Sequence, residues 1–332
     1  MSVALITGVG GQDGSYLSER LLGEGMDVHG TVLDTASENE TRFVPAGVRI
    51  HAGDLAEPGS VAELIRALEP DEIYNLGGVS SVAQSWEDPL TTGRVNGTGA
   101  AAVFEAAWEL QRRTGRGVRV LQASSGEIFG SPKDSPQTEA TPIAPVSPYG
   151  AAKAYAHFMV EAYRAKGLFA VACILYNHES PRRPLSFVTR KITAGAALIA
   201  ERGGGVLRLG NLDARRDWGW APDYVDAMVR AVRHPEPADY VVATGQAHSV
   251  ADLAREAFAC VGVEDWRAHV EVDPALARPA DPHLLVGDPA KARRELGWAP
   301  TVDFAGMVAR MVQADITSAR SVPDPPPLAG SN

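Results

Sequence analysis

Apolar residues in the first half of the chain fall into short runs closed by glycine, serine or aspartate, and between the runs they recur at helical spacing. Residues 3–7, Val-Ala-Leu-Ile-Thr, are the first such run and predict a buried parallel strand. Over 15–22 the apolar positions lie one helical turn apart and stop near Gly23 and Gly25, which predicts a helix. The same reading predicts strands over 28–33, 48–52, 72–76, 118–123 and 170–175, and helices over 61–68, 98–110 and 149–166. Regular alternation of strand and helix predicts an α/β fold with a doubly wound parallel sheet. Ligands of such sheets bind beyond the carboxyl ends of the strands.

Past Tyr176 the rhythm breaks. Pro181, Pro184, the Arg182-Arg183 pair and the stretch from Phe187 to Lys191 predict a substrate-facing loop and helix. Short alternating segments return at 206–209 and 240–243, with helices expected over 222–232 and 250–260. The expected division is a dinucleotide-binding domain over 1–176, with segments near 206–245 contributing to it, and a smaller C-terminal substrate-binding lobe over 177–316. A disordered tail is expected over 317–332, where Pro323-Asp-Pro-Pro-Pro327 cannot build a packed core.

Composition narrows the function classes. The 332 residues are 45% hydrophobic and 22% charged, as in a soluble globular protein, and the net charge is −10. That sign argues against nucleic-acid and anionic-membrane partners, which select basic surfaces. No apolar run reaches membrane-spanning length, and the first strand starts at Val3 with no leader before it, so a cytoplasmic setting is expected. Cys173 and Cys260 lie in apolar stretches and are expected to be buried, reduced thiols. The histidines show no metal-ligand spacing and no Walker loop is present, which disfavours metal hydrolysis and ATP chemistry.

The candidate chemistry begins at Gly8, Gly11 and Gly14, spaced G-x-x-G-x-x-G between a strand and a helix. The first glycine allows the tight turn, the second admits a pyrophosphate to the backbone, and the third allows close helix packing, as in a Rossmann-type dinucleotide site. Gln12 and Asp13 open that helix, and Leu55 and Leu76 stand near the ends of the third and fourth strands, so these four join the candidate cofactor set. Asp34, about twenty residues past the third glycine, is placed to bond the ribose hydroxyls and favours NAD over NADP; its other reading is a solvated turn acid. Asp54 is placed to bond adenine or to cap the next segment.

A second group follows. Tyr149 and Lys153, four apart on a helix, share one face, and the lysine ammonium is expected to lower the phenol pKa so that Tyr149 serves as a base. Ser125 closes a strand where its hydroxyl can bond the same sugar oxygen. Glu127 offers a carboxylate for removing the proton beside a ketone and helping a hydroxyl leave, or else is a structural acid on a turn.

At these residues the chain resembles the extended short-chain dehydrogenase/reductases, and among them the GDP-mannose 4,6-dehydratase family. The matches include Leu5 to Leu17, Pro70 to Leu76, Gln122 to Glu127, Ser147 to Lys153, Asn177 to Arg183, Phe187 to Thr193, Leu209 to Gly219 and Arg278-Pro279. The resemblance implies a redox-neutral cycle giving a 4-keto-6-deoxy sugar nucleotide, with tightly bound NAD or NADP and a GDP-linked substrate. It also implies that Ser81, Asn177, Glu179, Arg183, Val188, Lys191, Arg216 and Arg278 contact the nucleotide sugar, the cations suiting a diphosphate. The family usually has an arginine pair where this chain has Leu33-Asp34, and the segment 37–49 is shorter than usual, which points to NAD and to a homodimer. Gly126 stands where a hydroxyl residue is usual. Two other readings remain: a nucleotide-sugar epimerase of the same superfamily, and a catalytically silent nucleotide-sugar binding protein.

Overall fold

A computed structural model describes residues 1–276 and 284–320. Its central sheet holds the strands β1 (Val3–Thr7), β2 (Asp27–Val32), β3 (Arg49–Ala52), β4 (Glu72–Asn75), β5 (Arg119–Ser125), β6 (Phe169–Leu175) and β7 (Asp239–Val242) in the order β7-β6-β5-β4-β1-β2-β3. Every pairing in it is parallel. Alternate side chains feed two cores. Ala4, Ile6, Tyr74 and Leu121 pack with helices Gln12–Gly23 and Ala221–Arg233 on one face. Leu5, Ile73, Val120 and Ala172 pack with helices Pro58–Leu68, Gly99–Thr114 and Pro148–Ala165 on the other. Covering both faces explains why the strands read as continuous apolar runs.

The strand order reverses beside β1. There Gly8, at φ +69°, lies so close to the turn after β4 that a Cβ on it would stand 2.7 Å from the Gly77 Cα. A crevice at such a reversal is where doubly wound sheets bind ligands.

A separate core joins helices Val188–Arg202, Val250–Cys260 and Phe304–Arg320 with Leu207, Leu209 and Trp218. The segments near 206–245 divide between the two bodies. Leu207–Leu209 pairs with Val270–Val272 in the second body, whereas Ala221–Arg233 and β7 belong to the first. Residues 317–320, expected in the tail, continue a helix; 321–332 lie outside the described residues. Cys173 is buried as expected, but Cys260, at the end of its helix, is exposed.

Candidate active site

Each motif reaches the crevice by a local device. Ser147 caps helix Pro148–Ala165, its Oγ accepting from the Gly150 amide at 3.0 Å, and Pro148 sits in the first turn where its missing N–H costs nothing. That start places Tyr149 and Lys153 one turn apart over the end of β5. Ser125 ends β5, and its Oγ accepts from the Glu127 amide at 3.2 Å, which starts the tight turn Gly126–Phe129 and turns Glu127 toward the same space. Gly126 faces the Tyr176 ring: a Cβ there would stand 3.1 Å from Cζ. Glycine at this position makes room for Tyr176, whose hydroxyl donates to buried Gln137 at 2.9 Å.

These elements enclose a cavity of about 410 Å³. Ser125, Glu127, Tyr149 and Lys153 all line it, and so do Ser81, Asn177, Glu179, Arg183, Val188, Lys191 and Arg216 from the sequence-derived substrate set. Arg278 lies outside the described residues. Ser81 also caps helix Val82–Glu87, accepting from the Gln84 amide at 3.2 Å. Glu179 is 1% exposed, accepts from the Thr189 hydroxyl at 2.6 Å and pairs with Arg183 at 3.3 Å. The Arg183 guanidinium in turn lies 3.7 Å over the Phe187 ring.

The electrostatics differ from the expectation. Burial, the largest influence, pushes the Tyr149 phenol up to about 12, against the pull of its hydrogen bond with Ser125, and the Glu127 charge pushes the same way. Lys153 does not produce the expected drop. Its Nζ donates to the Ala123 carbonyl oxygen at 3.0 Å, and burial brings its own pKa down to about 8. A buried ammonium holding one backbone carbonyl has too few partners to keep its charge at little cost.

The cofactor candidates divide along the crevice. Asp13 and Leu76 line the cavity. The glycine loop has the shape a dinucleotide needs: Gly11 is exposed, with only the Gly8 carbonyl oxygen, at 3.3 Å, near the place of a Cβ, and it caps helix Gln12–Gly23. A Cβ on Gly14 would meet the Gly8 oxygen at 2.5 Å, so that glycine is required by the packing of helix on strand. The first amides of a helix are suited to serve as anion donors. The residues present therefore fit a nicotinamide dinucleotide.

Other members of the set have further tasks. Gln12 is buried and its amide is spent on the His178 carbonyl oxygen at 3.0 Å and the Ser180 hydroxyl at 2.9 Å. Asp54 accepts from the Ala56 amide at 2.8 Å, as in its capping reading. Leu55 is buried beneath Gly77 and Gly99. Asp34 is exposed, and one of its oxygens accepts from the Ala36 amide at 2.9 Å.

Two buried groups had no part in the sequence-derived set. His178 bonds Asp13 at 2.8 Å and the Tyr176 carbonyl oxygen at 2.7 Å, and it stacks on Tyr224 with ring centroids 4.5 Å apart. Pairing outweighs burial here: the His178 pKa is raised and that of Asp13 lowered. Asp217, beside Arg216, accepts from the Thr244 amide and hydroxyl at 2.9 and 2.6 Å and from the Gly245 amide at 2.9 Å. His178 stood inside the Asn177–Arg183 motif and Asp217 inside the Leu209–Gly219 motif, and that membership was the available signal for each. Among the described residues no cluster of metal-ligating side chains occurs, and no helix is long and apolar enough to cross a membrane.

The sequence pattern described as GDP-mannose 4,6 dehydratase matches residues 5–311. The protein named GDP-mannose 4,6 dehydratase 2 of Arabidopsis thaliana is 44% identical, over 96% of this chain and 88% of its own. GDP-mannose 4,6 dehydratase of Homo sapiens is 40% identical, over 97% of this chain and 94% of its own. Among solved structures, UDP-glucose 4-epimerase of Thermus thermophilus in complex with NAD superposes with a TM-score of 0.81 at 27% identity, over 94% of this chain and 98% of the other.

Proposed function

The chain belongs to the GDP-mannose 4,6-dehydratase family, and from that premise we propose that the cavity beside β5 converts GDP-mannose to its 4-keto-6-deoxy product. The enzyme is a lyase that removes water from a nucleotide sugar, using a nicotinamide cofactor that is not consumed. The observation that carries the site assignment is the meeting of Ser125, Glu127, Tyr149 and Lys153 in one cavity with the cations Arg183, Lys191 and Arg216. The cations and Asn177 take the diphosphate and the nucleotide, and the second lobe is read as their platform.

The glycine loop Gly8–Gly14 and Asp13 would hold a dinucleotide, which would supply a hydride acceptor for C4 and a hydride donor for C6. The residues of the chain move the protons. Tyr149, hydrogen-bonded with Ser125, takes the proton of the C4 hydroxyl, and Ser125 holds that oxygen in place. Once C4 is a carbonyl, the C5 proton is acidic, and Glu127 removes it. The same carboxyl, now protonated, gives its proton to the departing C6 hydroxyl, so water leaves and the carboxylate is restored; the proton held by Tyr149 then goes to C5 as hydride comes back to C6, and the net change is the loss of one water. Lys153, fixed by the Ala123 carbonyl, orients the tyrosine end of the site.

We read NAD as the preferred dinucleotide because the carboxylate of Asp34 stands where β2 ends. A homodimer is supported by Trp86, Leu90, Tyr155 and Phe158, exposed apolar side chains on helices that pack together. The test is the mass of the product formed from GDP-mannose by purified protein. Loss of one water is the expected result. A product of unchanged mass would assign an epimerase instead, and absence of turnover with GDP-mannose and a panel of sugar nucleotides would leave only binding.

A further inference from the structure

The end of β2 holds a second carboxylate that motif reading passed over. Glu40, on the short helix Glu38–Thr41, folds back so that its Oε2 accepts from the Leu33 amide at 2.6 Å and the Asp34 amide at 3.2 Å. The backbone of the same residue lies against the glycine loop. Its carbonyl oxygen stands 1.7 Å from the place of a Cβ on Gly10, so only glycine fits at position 10. Asp34 adds its own carboxylate, anchored on the Ala36 amide at 2.9 Å. The nearest cation along the chain, Arg42, stacks on the Phe43 ring at 5.2 Å.

This arrangement has a chemical consequence for a dinucleotide whose adenosine ribose sits at the end of β2. A 2′-phosphate there needs N–H donors and positive charge. The two amides that could serve are already taken by a carboxylate, and a second carboxylate stands beside it. We propose that Glu40 is a specificity-determining residue: it occupies the anion seat after β2 and, with Asp34, admits a free 2′-hydroxyl while repelling a 2′-phosphate. Gly10 is its structural partner, because the loop reaches this position only when residue 10 has no side chain. The inference rests on the NAD reading above.

The experiment is calorimetric titration of NAD and of NADP into purified protein stripped of copurified dinucleotide, for the wild type, Glu40→Gln, Glu40→Ala and Asp34→Asn. Glu40→Gln keeps an acceptor for the two amides but removes the charge. It is expected to tighten NADP about ten-fold while leaving NAD within about two-fold, since like charges in contact are costly in an interface. Glu40→Ala frees the amides as well and is expected to shift the ratio at least as far. A wild type that prefers NAD, with a ratio that neither Glu40 variant moves, would overturn the role of Glu40 and leave the Asp34 reading in place. A wild type that binds NADP as tightly as NAD would overturn both.

Discussion

Tyr149 and Lys153 are adjacent on one helix face, yet burial moves them in opposite directions from their ordinary values. The sign of each shift sets a stability profile. Lys153 titrates at about 8 when folded against 10.5 when unfolded, so between these values the unfolded chain binds more protons and stability rises with pH. The gain is on the order of 3 kcal/mol. Thermal melts of the wild type are expected to gain stability from pH 8 to 10, and those of Lys153→Met are expected to lack this rise. For chemistry, Glu127→Gln is expected to bind dinucleotide normally and to form no dehydrated product, because the group that takes the C5 proton is gone. Tyr149→Phe is expected to fail earlier, with no hydride transfer in a single turnover followed by nicotinamide absorbance. Dehydration by Glu127→Gln would remove that residue from its assigned role. The identities of these residues were legible in the sequence because spacing alone delivers them to one helix face and one strand end. Their electrostatics were not, because desolvation depends on what the rest of the chain packs around them.

Helix Pro148–Ala165 and strand β5 carry the residues proposed for the chemistry, and both elements were legible: one by its Ser-Pro start and small inward residues, the other by its apolar run. What escaped was the support supplied by residues distant in sequence. Asp217 gathers the turn at Thr244–Gly245 and so fixes the strand pair that presents Arg216. Its carboxyl pKa is raised by burial despite these donors, which marks how enclosed the junction is. Asp217→Ala leaves buried donors without partners and is expected to cost about 3 kcal/mol in denaturant unfolding, and to raise KM for the nucleotide sugar more than it lowers kcat. An unchanged KM in a folded variant would separate Asp217 from substrate binding. The short pieces around 206–218 were not divided between the two cores by the sequence, for a related reason. Strands of two or three residues carry too little periodicity to say which core receives them.

At the scale of the molecule, there are two bodies with separate cores, and Gln12 and Asp13 at the start of the first helix bond Ser180 and His178 in the stretch that follows β6. These bonds tie the glycine loop to the stretch 177–183, which lines the cavity proposed for the sugar. The doubly wound sheet was readable from alternation alone; the second body was readable only as a break in that alternation, because its pieces are far apart along the chain. The exposed apolar side chains Leu90 and Phe158 lead to a further expectation. Wild-type protein should sediment as a dimer, and a Leu90→Asp/Phe158→Asp variant as a folded monomer; a monomeric wild type would remove the dimer. The account as a whole requires that one hydride leave C4 and come back at C6 of the same sugar. Turnover of GDP-mannose bearing deuterium at C4, read by nuclear magnetic resonance of the product, tests this directly. The expected result is deuterium at C6 of a 4-keto-6-deoxy sugar, with no net reduction of the nicotinamide. Deuterium still at C4, or accumulating on the dinucleotide, would contradict it.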